Sequence, residues 1–341
     1  MRKKDMLARA VEVLLPSDLF FGCKYFLWNG LIVLAYHRVI NVQDVNSYEY
    51  DMDLVSATIE QFEHQMFYIS KHMHPVGEKD IVSYLYQGKK LPKRAIMVTF
   101  DDGFDDNYLN AFPILIRHSI PATMFISTYY IGGNEPIWFD WLASLFMSAT
   151  VNVINVPDLG IEYIRGGRTN NRNSFLDLII KLRAVSNEER LSTLQYLKNE
   201  YKQYMSHINT NKSRFMNWDQ VNEMSQSIIY IGSHTVTHPI LSRLDDDEIS
   251  VELADSKRII EDRINSQVNS ISYPTGMESS FTDKVIDMVR TCGYKLGFTY
   301  QHGFISMPIK DPYRMKRVHV ENHINAAYFN SMMKFPMVFR D

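Results

Sequence analysis

Cysteine is scarce in this chain of 341 residues, which contains Cys23, Cys292 and no other cysteine. Two cysteines offer neither a disulfide framework nor a cysteine-rich metal cluster. Basic residues are not in excess either, because 36 Lys and Arg stand against 39 Asp and Glu, for a formal net charge of −3. This balance gives no electrostatic basis for binding nucleic acid, so we expect no nucleic-acid partner.

Long apolar runs are also missing, since no stretch of the sequence reaches the roughly 20 residues that cross a bilayer. The chain opens with Arg2, Lys3 and Lys4, as a signal peptide does, but charged residues interrupt the segment that follows and no small-residue cleavage site is present. We interpret residues 1–30 as an N-terminal segment with an amphipathic helix over 6–15. Packing on the rest of the protein is its favoured role, and peripheral membrane contact is the alternative. The expected location is cytoplasmic, at the inner face of the membrane if that contact is made.

What the chain does contain is a series of short apolar runs that alternate with helical patterns. With 45% hydrophobic and 22% charged residues, it can form a sizeable core. Strands that alternate with helices at this spacing predict parallel pairing and right-handed winding. Asp105 or Asp106 is the expected cap of the helix after the second strand. We predict seven strands, over residues 31–36, 95–100, 121–126, 228–232, 270–273, 295–300 and 314–320.

Residues from about 131 to 215 interrupt this alternation. They contain an aromatic cluster, a stretch rich in Gly, Asn and Arg, and a long polar-faced helical pattern over 175–204. We interpret them as a mainly helical insertion, packed on or over a barrel that otherwise spans residues 31–341. Trp138 and Trp141 are candidates for a sugar-stacking wall, although core packing is the favoured interpretation of the cluster.

The strand over 95–100 ends in two adjacent carboxylates, Asp101 and Asp102. In α/β barrels the chemistry lies at this end of the strands, and neighbouring carboxylates repel unless a cation or a shared proton relieves them. His234 and His238 follow another predicted strand at a spacing that lets two imidazoles bind one ion. One carboxylate and two neutral imidazoles leave coordination positions open, as a catalytic divalent metal requires. Zinc is the default, and cobalt, nickel, manganese or iron(II) suits the same ligands.

These motifs resemble those of the polysaccharide deacetylase family, also called the NodB-homology domain or carbohydrate esterase family 4. The matching segments are TFDDG at 99–103, SHTVTH at 233–238 and, less specifically, YPTG at 273–276. YHRV at 36–39 and IPAT at 120–123 are similar to the subgroup associated with bacterial surface polysaccharides. The resemblance extends over most of the chain outside the N-terminal segment and the insertion.

The resemblance implies a distorted (β/α)7 barrel and metal-dependent removal of acetyl groups from N-acetylated sugars. Carried over by position, Asp101 would be the general base, and Asp102, His234 and His238 would bind the metal. Further residues would bind the substrate or the oxyanion of the tetrahedral intermediate: Tyr273, Pro274, Thr275 (through its backbone N–H), His37 and Trp141.

The third-motif arginine and the general acid are the two parts of the mechanism for which this sequence departs from the family pattern. The usual arginine-containing third motif is absent, and Ser272 stands where a basic residue is expected. The general acid, normally a late histidine, has no clean match. We choose His319 because it lies near the end of the final strand, where alternation lets Arg317 and His319 share one face. The alternatives are His302 and His323.

The leading hypothesis is therefore a hydrolase that removes N-acetyl groups from an acetamido sugar of a bacterial surface polysaccharide or its precursor. A second hypothesis keeps the site and changes the bond, to an O-acetyl ester, a formyl amide or a cyclic imide. A third is a catalytically inactive barrel that binds glycans. The sequence predicts a sugar or glycan partner without specifying the sugar, the linkage or the oligomeric state.

Overall fold

The computed structural model of the chain describes residues 30–148, 150–205 and 214–336. The amphipathic helix predicted over 6–15 lies outside these residues. Within them, no helix is both long enough and apolar enough to span a membrane.

The secondary structure follows the predicted alternation of strands and helices. The strands are β1 (Gly30–Tyr36), β2 (Arg38–Val39), β3 (Val55–Ala57), β4 (His74–Pro75), β5 (Ala95–Phe100), β6 (Ala122–Ile126), β7 (Val153–Val156), β8 (Ile161–Ile164), β9 (Ile229–Ser233), β10 (Ser270–Ser272), β11 (Leu296–His302), β12 (Ile305–Ser306) and β13 (Met315–His319). The helices are α1 (Ile59–His72), α2 (Glu78–Gln87), α3 (Phe112–Arg117), α4 (Trp138–Ser148), α5 (Arg168–Ala184), α6 (Asn187–Tyr201), α7 (Trp218–Ser225), α8 (Asp246–Ile264), α9 (Asp283–Thr291) and α10 (Ala326–Lys334).

Seven parallel strands close into a barrel in the order β1-β5-β6-β9-β10-β11-β13. Closure occurs because β1 pairs with β5 on one side and with β13 on the other, both in parallel. All seven predicted strands are present, with ends shifted by up to two residues. The barrel is distorted where β10 meets β9 in one residue pair and where the β11–β13 register shifts. The predicted (β/α)7 barrel is confirmed.

Closure places the C-terminal ends of the strands on one rim. Every residue of β1 and of β5 is buried, so these strands contribute apolar side chains to the two sides of the barrel wall. Polar side chains follow directly where the strands end, at His37 after β1, Asp101 after β5, His234 after β9 and Tyr273 after β10. The predicted site residues from four strands therefore meet at one end of the barrel.

The predicted cap at Asp106 is wrong, although the backbone is helical from Asp105 onward as expected. The carboxylate of Asp106 does not cap the helix after β5. It accepts hydrogen bonds from Arg38 Nε (2.9 Å) and from the backbone N–H of Val39 (2.8 Å). A π-helical segment, Asn107–Ala111, then leads into α3. Asp106 thus ties the segment after β1 to the start of this helix, a long-range contact that a capping rule does not anticipate.

Between β6 and β9 the chain forms α4, the antiparallel hairpin β7–β8, and the helices α5 and α6. The long helical pattern over 175–204 is two helices, because Ser186 starts α6 with a capping box that includes Glu189. Aromatic side chains join α4 to α5, with the rings of Phe146 and Phe175 6.4 Å apart.

Candidate active site

A buried cluster of one carboxylate and two imidazoles lies at the barrel rim. Asp102 Oδ1 is 3.5 Å from Nε2 of His234 and 3.5 Å from Nε2 of His238. One candidate ligand atom from each residue lies within 4.8 Å of the other two, and all three residues are buried. The fold therefore joins the end of β5 to the loop after β9, as the sequence predicts.

Backbone turns in the left-handed region aim these side chains. Asp102 has φ 75°, Thr235 φ 67° and His238 φ 57°. Such conformations cost roughly 1–3 kcal/mol each in non-glycine residues and concentrate at functional sites. The His234 N–H donates to the carbonyl of Ile126 (2.9 Å), which anchors the β9 loop to the neighbouring strand β6. The strained turns are thus held by hydrogen bonds from the barrel.

Hydrogen bonds also orient the imidazoles. His234 Nδ1 donates to the carbonyl oxygen of Ser272 (2.7 Å), which leaves Nε2 as the ring nitrogen that faces Asp102. A backbone carbonyl in this position is a common support for a metal-binding histidine. The indole of Trp138 donates to the carbonyl oxygen of His238 (3.3 Å), so α4 supports the second imidazole.

The donor set fits a divalent cation. Neither oxygen of Asp102 accepts a hydrogen bond from a described residue, and Nδ1 of His238 has no partner there either. A buried carboxylate without donors is costly, and a metal ion bound by its oxygens removes that cost. Burial lowers the pKa of His238 to about 3, so this imidazole is neutral, the form that binds metal. Two imidazoles and one carboxylate suit zinc and the other borderline metals.

Asp101, the carboxylate next to Asp102 in sequence, is compensated by the positive charge of Arg317. Arg317 Nη1 donates to Asp101 Oδ1 (2.8 Å) and Nη2 to Oδ2 (2.6 Å), and Ser272 Oγ donates to Oδ2 (3.2 Å). Burial alone would raise the pKa of Asp101, but the Arg317 charge and its hydrogen bonds outweigh burial and lower that pKa. Asp101 is therefore ionised, as a general base must be before it accepts a proton.

Arg317 is the functional residue whose role sequence reasoning missed. Its position on the final strand follows from the apolar pattern, but the family pattern puts the arginine near the third motif and gives no function to one on this strand. In the structure its fully buried side chain crosses from β13 to Asp101 and also donates to Ser272 Oγ (2.9 Å). The signal available in the sequence was alternation along the final strand, which puts Arg317 on the buried face of Met315 and Lys316 on the opposite, exposed face.

A cavity of about 450 Å³ opens beside the cluster. This volume lies within the roughly 300–1,000 Å³ that is typical of small-molecule sites. Besides the metal-ligand candidates, the predicted site residues that line it are His37, Asp101, Tyr273 and Thr275.

The third motif forms a fixed edge of this cavity. The hydroxyl of Tyr273 donates to the carbonyl oxygen of Tyr313 (3.0 Å), so the ring is held in place. The Gly276 N–H donates to the Pro274 carbonyl oxygen (2.7 Å), and Thr275 between them has φ 64°. Thr275, at the centre of this tight turn, lines the same cavity as the two carboxylates.

His37 presents to the cavity an imidazole that packs edge-on against Tyr300, with the ring centroids 5.4 Å apart. Its backbone is bound by the side chains of Ser56 and Asn107, whereas no described residue hydrogen-bonds to its ring. Burial lowers the pKa of His37, and the charges of Asp102 and Asp101 act in the opposite direction. A histidine with a lowered pKa is a stronger proton donor once it is doubly protonated.

Comparison with known proteins decides the family. A family model described as polysaccharide deacetylase matches residues 88–153 and 186–297, just over half of the chain. The chain belongs to the polysaccharide deacetylase family. The matched residues include the cluster of Asp102, His234 and His238, and they also include Asp101.

Relatives in this family include proteins of Bacillus subtilis and Staphylococcus aureus. YxkH of Bacillus subtilis (strain 168), named as a polysaccharide deacetylase, is 22% identical over 256 residues, which cover 75% of this chain and 62% of YxkH. Poly-β-1,6-N-acetyl-D-glucosamine N-deacetylases of Staphylococcus aureus strains are 34% identical over 111 residues, which cover 30% of this chain and 38% of theirs. The chain thus spans less than two thirds of the length of these relatives.

Solved structures share the barrel. The deacetylase PplD of Streptococcus pyogenes, in complex with acetate, aligns with a TM-score of 0.60 at 17% identity over 90% of this chain and 99% of PplD. IcaB from Ammonifex degensii aligns with a TM-score of 0.56 at 18% identity over 90% of this chain and 97% of IcaB. At such identities the likeness supports the fold of this polysaccharide deacetylase family member.

The histidines predicted as general acid lie away from the cavity of this family member. The ring of His319 stacks on Tyr300 at 3.7 Å, and its Nε2 donates to the Tyr300 carbonyl oxygen (2.8 Å). His302 packs edge-on to His319, and His323 pairs with Glu321. None of the three histidines is among the cavity-lining residues. The structure thus places His37, and none of these three histidines, in the lining of the cavity.

Trp141 is likewise not among the residues that line the cavity beside the cluster. It lines a neighbouring cavity with Tyr50, and Lys198 Nζ lies 6.0 Å from its ring centroid. Trp138 is buried against the loop of His238 and does not form an exposed sugar platform. The structure thus brings neither tryptophan face to the metal cluster.

We predict that the purified protein binds one divalent ion per chain and that His234→Ala weakens zinc affinity at least about 10-fold, since even loss of a supporting contact costs that much. Elemental analysis after dialysis against dilute zinc measures the loading. His323→Ala is the matched control, because it removes a histidine outside the cavity and should leave binding intact. Equal loading of His234→Ala and wild type would contradict the site.

We predict that Arg317→Lys shifts the acid limb of the pH profile to higher pH. Arg317 lowers the pKa of Asp101, so losing the two-pronged hydrogen bond raises that pKa by on the order of one to two units, from the 1.5–3 kcal/mol of a charged hydrogen bond. The measurement is kcat/KM against pH. Arg314→Lys, an exposed neighbour paired with Asp311, should show no shift. An unshifted limb in folded Arg317→Lys would refute the assignment.

Proposed function

We propose that this chain is a metal-dependent N-deacetylase acting on an acetamido sugar of a bacterial surface polysaccharide or its precursor. The observation that carries the proposal is the division of the two carboxylates. Asp101 is held by Arg317 as an ionised base, while both oxygens of Asp102 are left for a cation that His234 and His238 complete. Family membership supports the reaction class. The staphylococcal relatives, named for poly-β-1,6-N-acetyl-D-glucosamine, support the sugar type.

Asp102, His234 and His238 would hold the ion, with zinc as the default and cobalt, nickel, manganese or iron as alternatives. When bound, such an ion acts as a Lewis acid on the acetyl carbonyl and lowers the pKa of water. Asp101 accepts the proton of the attacking water, and its carboxylate keeps its orientation because Arg317 grips both oxygens.

The remaining steps are assigned to two other residues that line the cavity, His37 and Thr275. The oxygen of water bonds to the acetyl carbon, the carbon–nitrogen bond breaks, and the products are acetate and a sugar amine. The amine nitrogen needs a proton as it leaves, and we assign that proton to His37, which lines the cavity and whose ring packs against Tyr300 without a hydrogen bond to a described residue. The Thr275 backbone N–H, in the turn after Pro274, is our candidate donor to the developing oxyanion.

We predict acetate release from β-1,6-linked N-acetylglucosamine oligosaccharides by the zinc-loaded protein. EDTA should abolish it and added zinc or cobalt restore it. Asp101→Asn should lower kcat by about 10²–10⁴-fold, the usual contribution of a general base, while its zinc content stays at the wild-type level. A chromatographic acetate assay gives the rates. Release that persists at full rate in metal-free protein would end the proposal.

We further predict that His37→Ala lowers kcat on these amides by about 10²-fold, the lower end of what a general acid contributes. The same variant should lose much less on 4-nitrophenyl acetate, whose leaving group departs without a proton. A merely structural role would reduce both rates alike. His319→Ala is the matched control and should resemble wild type on both substrates. An amide-specific loss in His319→Ala would instead restore the assignment made from the sequence.

A further inference from the structure

The outer wall of the catalytic cavity is aliphatic. One face of α5 lines it with Leu176, Ile179, Ile180 and Arg183, at positions i, i+3, i+4 and i+7 of the helix. Three of these four side chains are branched hydrocarbons. Met277, in the loop after β10, lines the same cavity from a different element.

Two members of this wall are exposed at the cavity mouth. Ile180 is 66% exposed and Met277 is 48% exposed, whereas Ile179 and Phe175, which line the same cavity, are buried. Single exposed apolar residues are ordinary on protein surfaces. Here they continue an apolar lining that runs inward to the metal-ligand candidates. A ligand that contacts Ile180 and Met277 can therefore be part of the molecule whose amide reaches Asp101.

One charged side chain, Arg183, belongs to this wall, and two carboxylates that line the same cavity have partners of their own. Asp51 accepts a hydrogen bond from the backbone N–H of Asp53, and Asp53 pairs with Arg172 at 2.5 Å. Branched aliphatic side chains offer no hydrogen bond to a hydroxyl and no flat face for a sugar ring to stack on. The aliphatic part of the wall, formed by Leu176, Ile179, Ile180 and Met277, is therefore suited to a hydrocarbon chain, whereas the charged and aromatic side chains line other parts of the cavity.

We propose that the substrate is an acetamido sugar carried on a hydrocarbon chain, with the sugar at the metal-ligand cluster and the chain along the α5 face. The inference rests on the proposed function and gives it a substrate class. The chain-bearing end binds by burial of apolar surface against Ile179, Ile180 and Met277. A fully hydrophilic polymer has no apolar group that could bind to this wall.

The test compares the octyl and methyl β-glycosides of N-acetylglucosamine, below the micelle concentration of the octyl compound. Calorimetric Kd values are measured on the zinc-loaded Asp101→Asn protein and kcat/KM for acetate release on the zinc-loaded wild type. We expect the octyl glycoside to bind at least about 10-fold more tightly, because each buried methylene adds to affinity. The kcat/KM for acetate release should rise by a similar factor.

Variants at exposed positions locate the effect without disturbing the core. In the Asp101→Asn background, Ile180→Asn and Met277→Gln should each reduce the octyl preference to about threefold or less and leave the Kd of the methyl glycoside unchanged. Ile164→Asn is the matched control, since Ile164 is 68% exposed on β8 and does not line this cavity. It should retain the full preference.

The outcomes separate this inference from the proposed function. Equal Kd values for the two glycosides would overturn the inference, as would an octyl preference that survives Ile180→Asn and Met277→Gln together. A hydrophilic hexasaccharide of N-acetylglucosamine with a higher kcat/KM than the octyl glycoside would also overturn it. Absence of acetate release from every compound would reject the proposed function, and the Kd comparison would still decide whether the wall binds the chain.

Discussion

The pairing of Arg317 with Asp101 is the interaction on which the rest of the site depends. Two adjacent carboxylates buried at the end of one strand cannot both remain ionised without compensation, because burial and mutual repulsion favour their protonated forms. Arg317 compensates one of them with a two-pronged hydrogen bond. Asp102 is then the carboxylate left without a protein donor. Asp101 and Asp102 are neighbours in sequence, but they acquire different chemical roles because their partners come from distant parts of the chain.

Barrel closure supplies those partners. The pairing of β1 with both β5 and β13 brings the ends of the first, second and last barrel strands side by side. This register brings His37, Asp101 and Arg317 together. His234 lies at the end of β9, which is separated from β5 by β6. An open sheet with the same strands would leave β13 at an edge, and Arg317 would not reach Asp101. The distortion at β10 also matters, since Ser272 at its end contacts His234 through its carbonyl and Asp101 through its hydroxyl.

The segment between β6 and β9 contributes in two ways. Helix α4 supports the loop of His238 through the indole of Trp138, and α5 forms the aliphatic wall of the cavity. The aromatic residues of this segment therefore act mainly in packing, as the favoured interpretation of the sequence held. The same barrel rim can serve different substrates when the helices that wall it change, because the metal-ligand cluster and its base are built from the barrel strands and their loops.

The sequence by itself determined the seven strands and paired His234 with His238 as candidate ligands, because apolar periodicity and ligand spacing are local patterns that survive without knowledge of the fold. The closed barrel and the choice of Asp102 as the third ligand were implied by the resemblance of the motifs to the family. Only the tertiary structure decided that Arg317 serves Asp101, that His37 and not His319 faces the cavity, and that Trp141 lies outside it. These outcomes depend on which side chains from distant strands meet across a closed barrel. Alternation assigned Arg317 and His319 to one face, but Tyr300 stacks over His319 and separates it from the reacting groups, a packing relation that no spacing along the chain encodes.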